Sequence, residues 1–119
     1  MAVRSYRDLI VWQKAMDLVM ESYRLAQKFP THERYGLASQ CRRAAVSIPA
    51  NIAEGHGRLH RGDYVHHLSI ATGSLMELET CAELECRLGY ASADDVLSLR
   101  ELLDHVGRML TRLTRRLYD

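Results

Sequence analysis

Breakers and aromatics are scarce in this 119-residue chain, which has two prolines, seven glycines, one phenylalanine and one tryptophan. So few breakers, with charged residues at 26% and no tract of low complexity, exclude a linker or a disordered tail and mark a folded globular chain. No segment alternates apolar and polar residues over the length of a strand, so a sheet is not the scaffold. No run approaches the roughly 18 uninterrupted apolar residues of a membrane span. The opening Met1-Ala2-Val3-Arg4-Ser5-Tyr6-Arg7 has no apolar stretch of signal-peptide length, so the chain is expected to stay in the cytoplasm. Cys41, Cys81 and Cys86 are odd in number and lack C-x-x-C spacing, which predicts buried reduced thiols and no disulfide framework. An excess of one charge is also missing, since the net charge is +1. The distribution is uneven, however: ten basic against five acidic residues up to Arg61, and six against ten from Gly62 onward. Bulk attraction to nucleic acid is therefore not indicated, while a local basic patch in the first half remains open.

What is present is helical periodicity. The 47% hydrophobic content suffices for one core, and residues 1–119 read as a single domain. The first pattern spans about 8–28, with a stripe of Leu9, Trp12, Met16, Val19 and Tyr23 widened by Ala15, Leu18, Ser22 and Leu25. Ser5 and Asp8 can cap its start, and Phe29-Pro30 ends it. The second spans about 33–55, with Thr31 as N-cap, Glu33 in the first turn and a stop at Gly55-His56-Gly57. Pro49 inside it predicts a kink or a new helical segment. The third, about 63–88, has the seam Tyr64, Leu68, Ala71, Leu75, Leu78 and Ala82, with Gly73 and Ser74 allowing close helix contact and Gly89 as its stop. The fourth, about 93–117, carries the heptad seam Val96, Leu99, Leu103, Val106, Leu110, Leu113 and Leu117 behind a Ser92-x-x-Asp95 cap, with Leu102 and Met109 as a flanking row. Long helices joined by short turns fold most economically as an all-α, antiparallel up-and-down four-helix bundle.

The second helix is unusual in having little surface suited to water. Gln40, Arg43, Ser47, Asn51, Glu54 and Arg58 share one narrow stripe beside a core stripe of Leu37, Cys41, Ala44, Ala45, Ile48 and Ile52. The remaining face, Ala38, Val46, Pro49 and Ala53, has Arg42 as its only charge. One bundle core covers such a helix incompletely, so another subunit is expected to supply the rest. Under that reading the polar stripe lies at or beside an interface, where Arg43 and Glu54 need partners. The alternative is that the stripe is simply a solvent face.

Candidates for chemistry are thin. Paired Glu-x-x-His motifs, the signature of a bundle metal site, do not occur, and Asp63-x-x-His66 is a single imperfect substitute. His56, His60, His66 and His67 gather near a turn and are read as surface histidines, with no metal or other cofactor expected. No Ser or Cys stands in a motif that a base and an oxyanion hole could serve. Gly55-His56-Gly57-Arg58 lacks the Lys-Ser/Thr of a phosphate loop and follows a helix, so it reads as a helix stop. Neither an enzyme nor a small-molecule substrate is expected. Two basic sets remain: Arg42, Arg43, Arg58 and Arg61, and, on the last helix, Arg108, Arg112, Arg115 and Arg116. The last helix's charged face, with Glu101, Asp104 and His105 ahead of the arginines, reads as a solvated face or as a grip on phosphates.

A family resemblance joins these observations. Asp8-Leu9-Ile10-Val11-Trp12-Gln13-Lys14-Ala15, then Phe29-Pro30 and Glu33-Arg34-Tyr35-Gly36-Leu37, resemble the four-helix-bundle proteins encoded within intervening sequences of bacterial 23S ribosomal RNA genes. The likeness is strongest in Gln40-Cys41-Arg42-Arg43-Ala44-Ala45-Val46-Ser47-Ile48-Pro49-Ala50-Asn51-Ile52-Ala53-Glu54-Gly55, and Ile70 to Glu79 resembles the family's third helix. The resemblance implies a bundle that assembles into a ring of five, with a role mostly unassigned. It extends to the accessory variability proteins of diversity-generating retroelements, which bind a reverse transcriptase and nucleic acid through a strongly basic surface; this chain departs from them in charge. The expected function is a non-enzymatic oligomeric scaffold whose partners are itself and RNA, DNA or a nucleic-acid-processing protein. The alternative is a protein-interaction module that binds no nucleic acid.

Overall fold

The computed structural model describes residues 4–118; Met1-Ala2-Val3, which belong to the stretch weighed as a signal peptide, and Asp119 lie outside the described residues. Among the described residues there are four α-helices and no strand: α1 Ile10–Ala26, α2 Leu37–His56, α3 Arg61–Arg87 and α4 Leu97–Tyr118. Short 3-10 turns at Tyr6–Asp8 and Thr31–Glu33 precede α1 and α2. Each helix packs on two others, α1 on α2 and α4, and α3 on α2 and α4, while among the described residues the diagonal pairs have no Cα atoms within 8 Å of each other. The result is a rod of 44 × 25 × 21 Å with one apolar axis. No helix among the described residues is long and apolar enough to cross a membrane.

Local chemistry explains where the helix ends fall. The Ser5/Asp8 capping box forms, but it closes the 3-10 turn, so α1 begins two residues later, at Ile10, without a side-chain cap. Thr31 is not an N-cap: it opens the second 3-10 turn, and Glu33 acts from outside α2, its Oε1 accepting the Leu37 N–H at 3.2 Å. The other Glu33 oxygen accepts from the Tyr90 hydroxyl at 2.7 Å. Pro49 neither ends α2 nor starts a new segment, because the helix runs unbroken from Leu37 to His56. At the end of α3, Gly89 takes φ +77°, and the Tyr90 and Gly89 N–H groups bond to the Glu85 and Cys86 carbonyls at 2.9 and 3.1 Å. This closure consumes carbonyls the helix would otherwise leave bare. The Ser92/Asp95 box forms as the spacing predicts, with bonds of 2.9 and 3.1 Å, and α4 proper starts at Leu97.

The core corrects two expectations. In α1 the buried row is Val11, Ala15, Leu18, Ser22 and Leu25, while Met16 and Tyr23 are exposed and Trp12 and Val19 half-buried. Two heptad-spaced rows lie side by side in the sequence, and the helix turns the narrower one inward because its small Ala15 and Ser22 let α2 and α4 approach. Ser22 satisfies its hydroxyl on the Leu18 carbonyl at 2.9 Å. In α3 the seam is buried as far as Ala82, with Tyr64 half-buried, but Gly73 is exposed, and a Cβ added there would have nothing within 4 Å. Close contact is made by its neighbour Ser74, which bonds to Ser47 of α2 at 2.8 Å, and by Gly55 of α2, whose added Cβ would sit 2.8 Å from His67 Cβ and 3.0 Å from Tyr64 Cδ1. Val96, Leu99, Leu103, Val106 and Leu110 of α4 are buried, and Leu113 and Leu117 half-buried. Cys41 and Cys81 are buried free thiols and Cys86 is half-buried, held near the Ser92 carbonyl.

Candidate functional site

The expected polar stripe of α2 is divided by the structure into an engaged half and a free half. Toward the C-terminal end a hydrogen-bonded ladder joins α2 to α3. Ser74 Oγ donates to Ser47 Oγ at 2.8 Å, and Asn51 Nδ2 donates to the Ser47 carbonyl and hydroxyl at 2.9 and 3.0 Å. Asn51 Oδ1 meets His67 Nδ1 at 3.0 Å. Glu54 lies 3.7 Å from the same nitrogen and pairs with Arg58 at 3.2 Å. Within the chain Glu54 thus has a charge partner in Arg58, one turn on. Ser47 and Asn51 are half-buried in this ladder, whereas Arg43 and Gln40 are exposed at the other end.

The outward ridge of α2 lies between two shallow grooves. One, of about 400 Å³, is lined by Gln40, Arg43, Ala44, Ser47, Ser74 and Glu77. The other, of about 360 Å³, is lined by Tyr23, Ser39, Arg42, Arg43, Val46 and Ser47. Arg42 donates to the Arg34 carbonyl at 3.3 Å and stacks over the Tyr23 ring at 6.0 Å. Val46 on the ridge, and Met16, Met20 and Tyr23 on α1, are exposed. Ala38 and Pro49, which the sequence left for another subunit to cover, are buried within this chain, where α2 packs on α1 and α3. The ridge still open to an outside partner is accordingly narrower than expected, running through Ser39, Arg43, Val46 and Ala50.

The eight arginines singled out by sequence do not form one patch. Arg42 and Arg43 flank the α2 ridge; Arg58 and Arg61 bracket the α2–α3 turn. On α4, Arg108 is paired with Asp104 at 3.1 Å, as its i,i+4 spacing predicts. Arg112 and Arg116 line a third groove, of about 350 Å³, where the start of α1 meets the end of α4. Among the described residues no carboxylate lies within ion-pair distance of Arg43, Arg61, Arg112, Arg115 or Arg116. His56 packs edge-on against Tyr64 at 5.9 Å, and among the described residues no cluster of His, Cys, Asp and Glu has the geometry of a metal site.

Sequence reasoning missed two features. Glu85 is 2% exposed and its Oε1 has no hydrogen-bond partner, so burial pushes its carboxyl up to about 7 despite the nearby Arg100. It lies near Cys41 and Cys81 at the α2–α3 contact, where the neighbouring Cys81 thiol and burial push the Cys41 thiol well above its ordinary value. Glu85 follows Cys81 and Leu78 at helical spacing, and that was the available signal for its burial. The other is the α1–α4 groove, signalled by two adjacent i,i+4 pairs, Met109/Leu113 and Arg112/Arg116.

Comparison with other proteins is consistent with this architecture. Among curated protein sequences none matches the chain. A crystal structure of a protein with unknown function from the S23 ribosomal protein family of Bacteroides thetaiotaomicron is similar, with a TM-score of 0.80 at 23% identity. The match covers 87% of this chain and 97% of that one, and at such identity it speaks to the fold alone. The family model for the 23S rRNA-intervening sequence protein matches residues 7–112, so the chain belongs to that family.

Proposed function

We propose that this chain is a non-enzymatic cytoplasmic scaffold: an antiparallel up-and-down bundle that assembles with copies of itself into a ring of five and holds RNA or DNA, or an enzyme acting on them, through repeated arginines. Antiparallel packing is supported by pairs that meet in opposite chain order, Ser47 with Ser74 and Asn51 with His67, and Lys28 with Asp95. The observation that carries the scaffold reading is the exposed α2 ridge, where Val46 and Arg43 stand between two grooves, one of them shared with the exposed Tyr23 of α1. A second copy seated there would cover this surface and bring Arg42 and Arg43 of successive subunits together. A modest basic patch repeated five times binds a polyanion far more strongly than one copy does. The family's name ties these proteins to 23S rRNA sequence, which makes RNA the first ligand to try.

The test is light scattering on a sizing column with absorbance at 260 and 280 nm, followed by anisotropy of a labelled RNA fragment across a salt series. A mass near five subunits and steeply salt-dependent binding are expected. Arg42→Glu or Arg43→Glu should abolish binding while the helical signal is kept; unchanged binding removes this patch from the function. A clean monomer overturns the ring. The second reading, a protein-interaction module without nucleic-acid binding, is favoured by the charge engagement of Arg58 and Arg108 by Glu54 and Asp104. It predicts no salt-dependent association with RNA or DNA.

A further inference from the structure

The groove between the start of α1 and the end of α4 is unlike the other arginine-bearing surfaces. Its apolar side is made by Leu9, Ile10, Met109 and Leu113, and its charged side by Arg112 and Arg116. Ile10 is 59% exposed although it sits in the first turn of α1. The acid of the groove, Asp8, is already engaged: its Oδ2 accepts from the backbone N–H groups of Arg4 and Ser5 at 2.9 and 3.3 Å. Arg112 and Arg116 thus have no carboxylate at ion-pair distance among the described residues, and the groove carries net positive charge.

The arrangement is a pair of parallel rows. Met109 and Leu113 stand one helical turn apart, and Arg112 and Arg116, also one turn apart, run beside them. On a helix such i,i+4 positions have Cβ atoms about 5–6 Å apart. The same two rows, with signs reversed, occur on an acidic amphipathic helix whose leucines at i,i+4 adjoin glutamates at i,i+4. Phosphate backbones make no use of an aliphatic floor, and no aromatic side chain lines this groove on which a base could stack. A volume of about 350 Å³ suits the anchoring side chains of one helix turn or two.

We propose that the α1–α4 groove is a docking site for an acidic amphipathic helix of a partner protein, with Arg112 and Arg116 gripping its carboxylates and Ile10, Met109 and Leu113 receiving its leucines. The site is separate from the α2 ridge, so both can be occupied at once, and it does not depend on nucleic-acid binding elsewhere on the molecule. Guanidinium–carboxylate pairs over an apolar floor give both registration and affinity, since the fork of each arginine fits a carboxylate in two points.

The experiment uses the full chain and a fluorescein-labelled helical peptide of Glu, Leu and Ala with both rows at i,i+4 spacing, followed by anisotropy. A matched peptide with Gln in place of Glu, and a labelled single-stranded RNA, are run alongside. Saturable binding of the Glu peptide is expected. Arg112→Glu and Arg116→Glu should each weaken it at least tenfold, Ile10→Asp should weaken it likewise, and Arg115→Glu should leave it unchanged. Arg112→Gln, a milder change, should reduce affinity with the helical signal and Tm kept, which separates docking from folding. The proposal is overturned if the Gln peptide binds equally well, if Arg115→Glu weakens binding as much as Arg112→Glu, or if RNA displaces the peptide and needs the same Ile10 and arginines. RNA binding that survives Arg112→Glu but not Arg43→Glu leaves the two sites distinct; loss of RNA binding by the wild type removes the nucleic-acid reading and not this one.

Discussion

Replacing Glu85 by Gln should make the protein more stable at pH 8 and leave it nearly unchanged at pH 4. Glu85 is buried with Oε1 unpartnered, and its carboxyl is raised from an ordinary 4.5 to about 7 because burial disfavours the charged form. The folded-state value lies above the unfolded one, so between the two values the native state binds the proton that the unfolded chain has released. Stability linked to this group is therefore whole below pH 4.5, falls as pH rises toward 7, and is lost above it. At about 1.4 kcal/mol per unit, the loss reaches about 3 kcal/mol. Gln has the same shape and does not ionise, so the difference between variant and wild type isolates this residue from every other titration in the chain. Urea unfolding of both proteins at steps between pH 4 and pH 8.5 measures it. The expected gap opens between pH 5 and pH 7 and then levels off, matching a Tm difference of about 10 °C for a chain of this size. A gap that is constant with pH, or one that opens in the opposite direction, would refute the idea that Glu85 is held neutral by burial.

Gly55→Ala should destabilise by about 1–3 kcal/mol, because the new methyl meets His67 Cβ at 2.8 Å and the Tyr64 ring at 3.0 Å; chemical denaturation would show it. Gly89→Ala should cost about 1–2 kcal/mol through its φ of +77°, measured as a lower Tm, although nothing crowds the site. Asn51→Ala, which strips the partner from half-buried His67 and from Ser47, should cost about 1–3 kcal/mol by the same assay. Val46→Glu on the α2 ridge should reduce the mass seen by light scattering while the helical signal stays; an unchanged mass would move the self-association surface elsewhere.

How much of this was legible in the sequence depended on whether one residue row decided the matter. The α4 seam was unambiguous because its heptad row was unbroken and the flanking row had only Leu102 and Met109, and all five seam residues from Val96 to Leu110 are buried. In α1 two rows competed, and side-chain size, not hydrophobicity, chose the inner one: Met16 and Tyr23 are too large for the separation that Ala15 and Ser22 permit. The α2 stripe was visible as a stripe, but its partners were not. Ser74 and His67 are 27 and 16 residues away from the groups they bond, and periodicity within one helix carries no information about contacts of that kind. Pro49 starts no new segment because a missing N–H is a local cost, whereas a continuous α2 is held by α1 and α3 along both flanks. The arginines could be counted in the sequence, yet their division among ridge, turn and groove depended on which helix ends meet.

The contact between α1 and α4 closes the bundle with segments from opposite ends of the chain. Lys28 and Asp95 pair at 2.9 Å across 67 positions, and Leu9 shares a groove with Leu113. Synthesis proceeds from the N-terminus, so α1, α2 and α3 are all made before α4 exists. The side of α1 that α4 will cover stays bare until α4 is in place, and so does the facing side of α3. Until α4 docks, the other three helices leave an apolar trough open, which a chaperone or another copy of the chain can enter. Helix α4 acts as a late bolt, and its docking sets the moment at which the monomer becomes closed to exchange of helices with its neighbours.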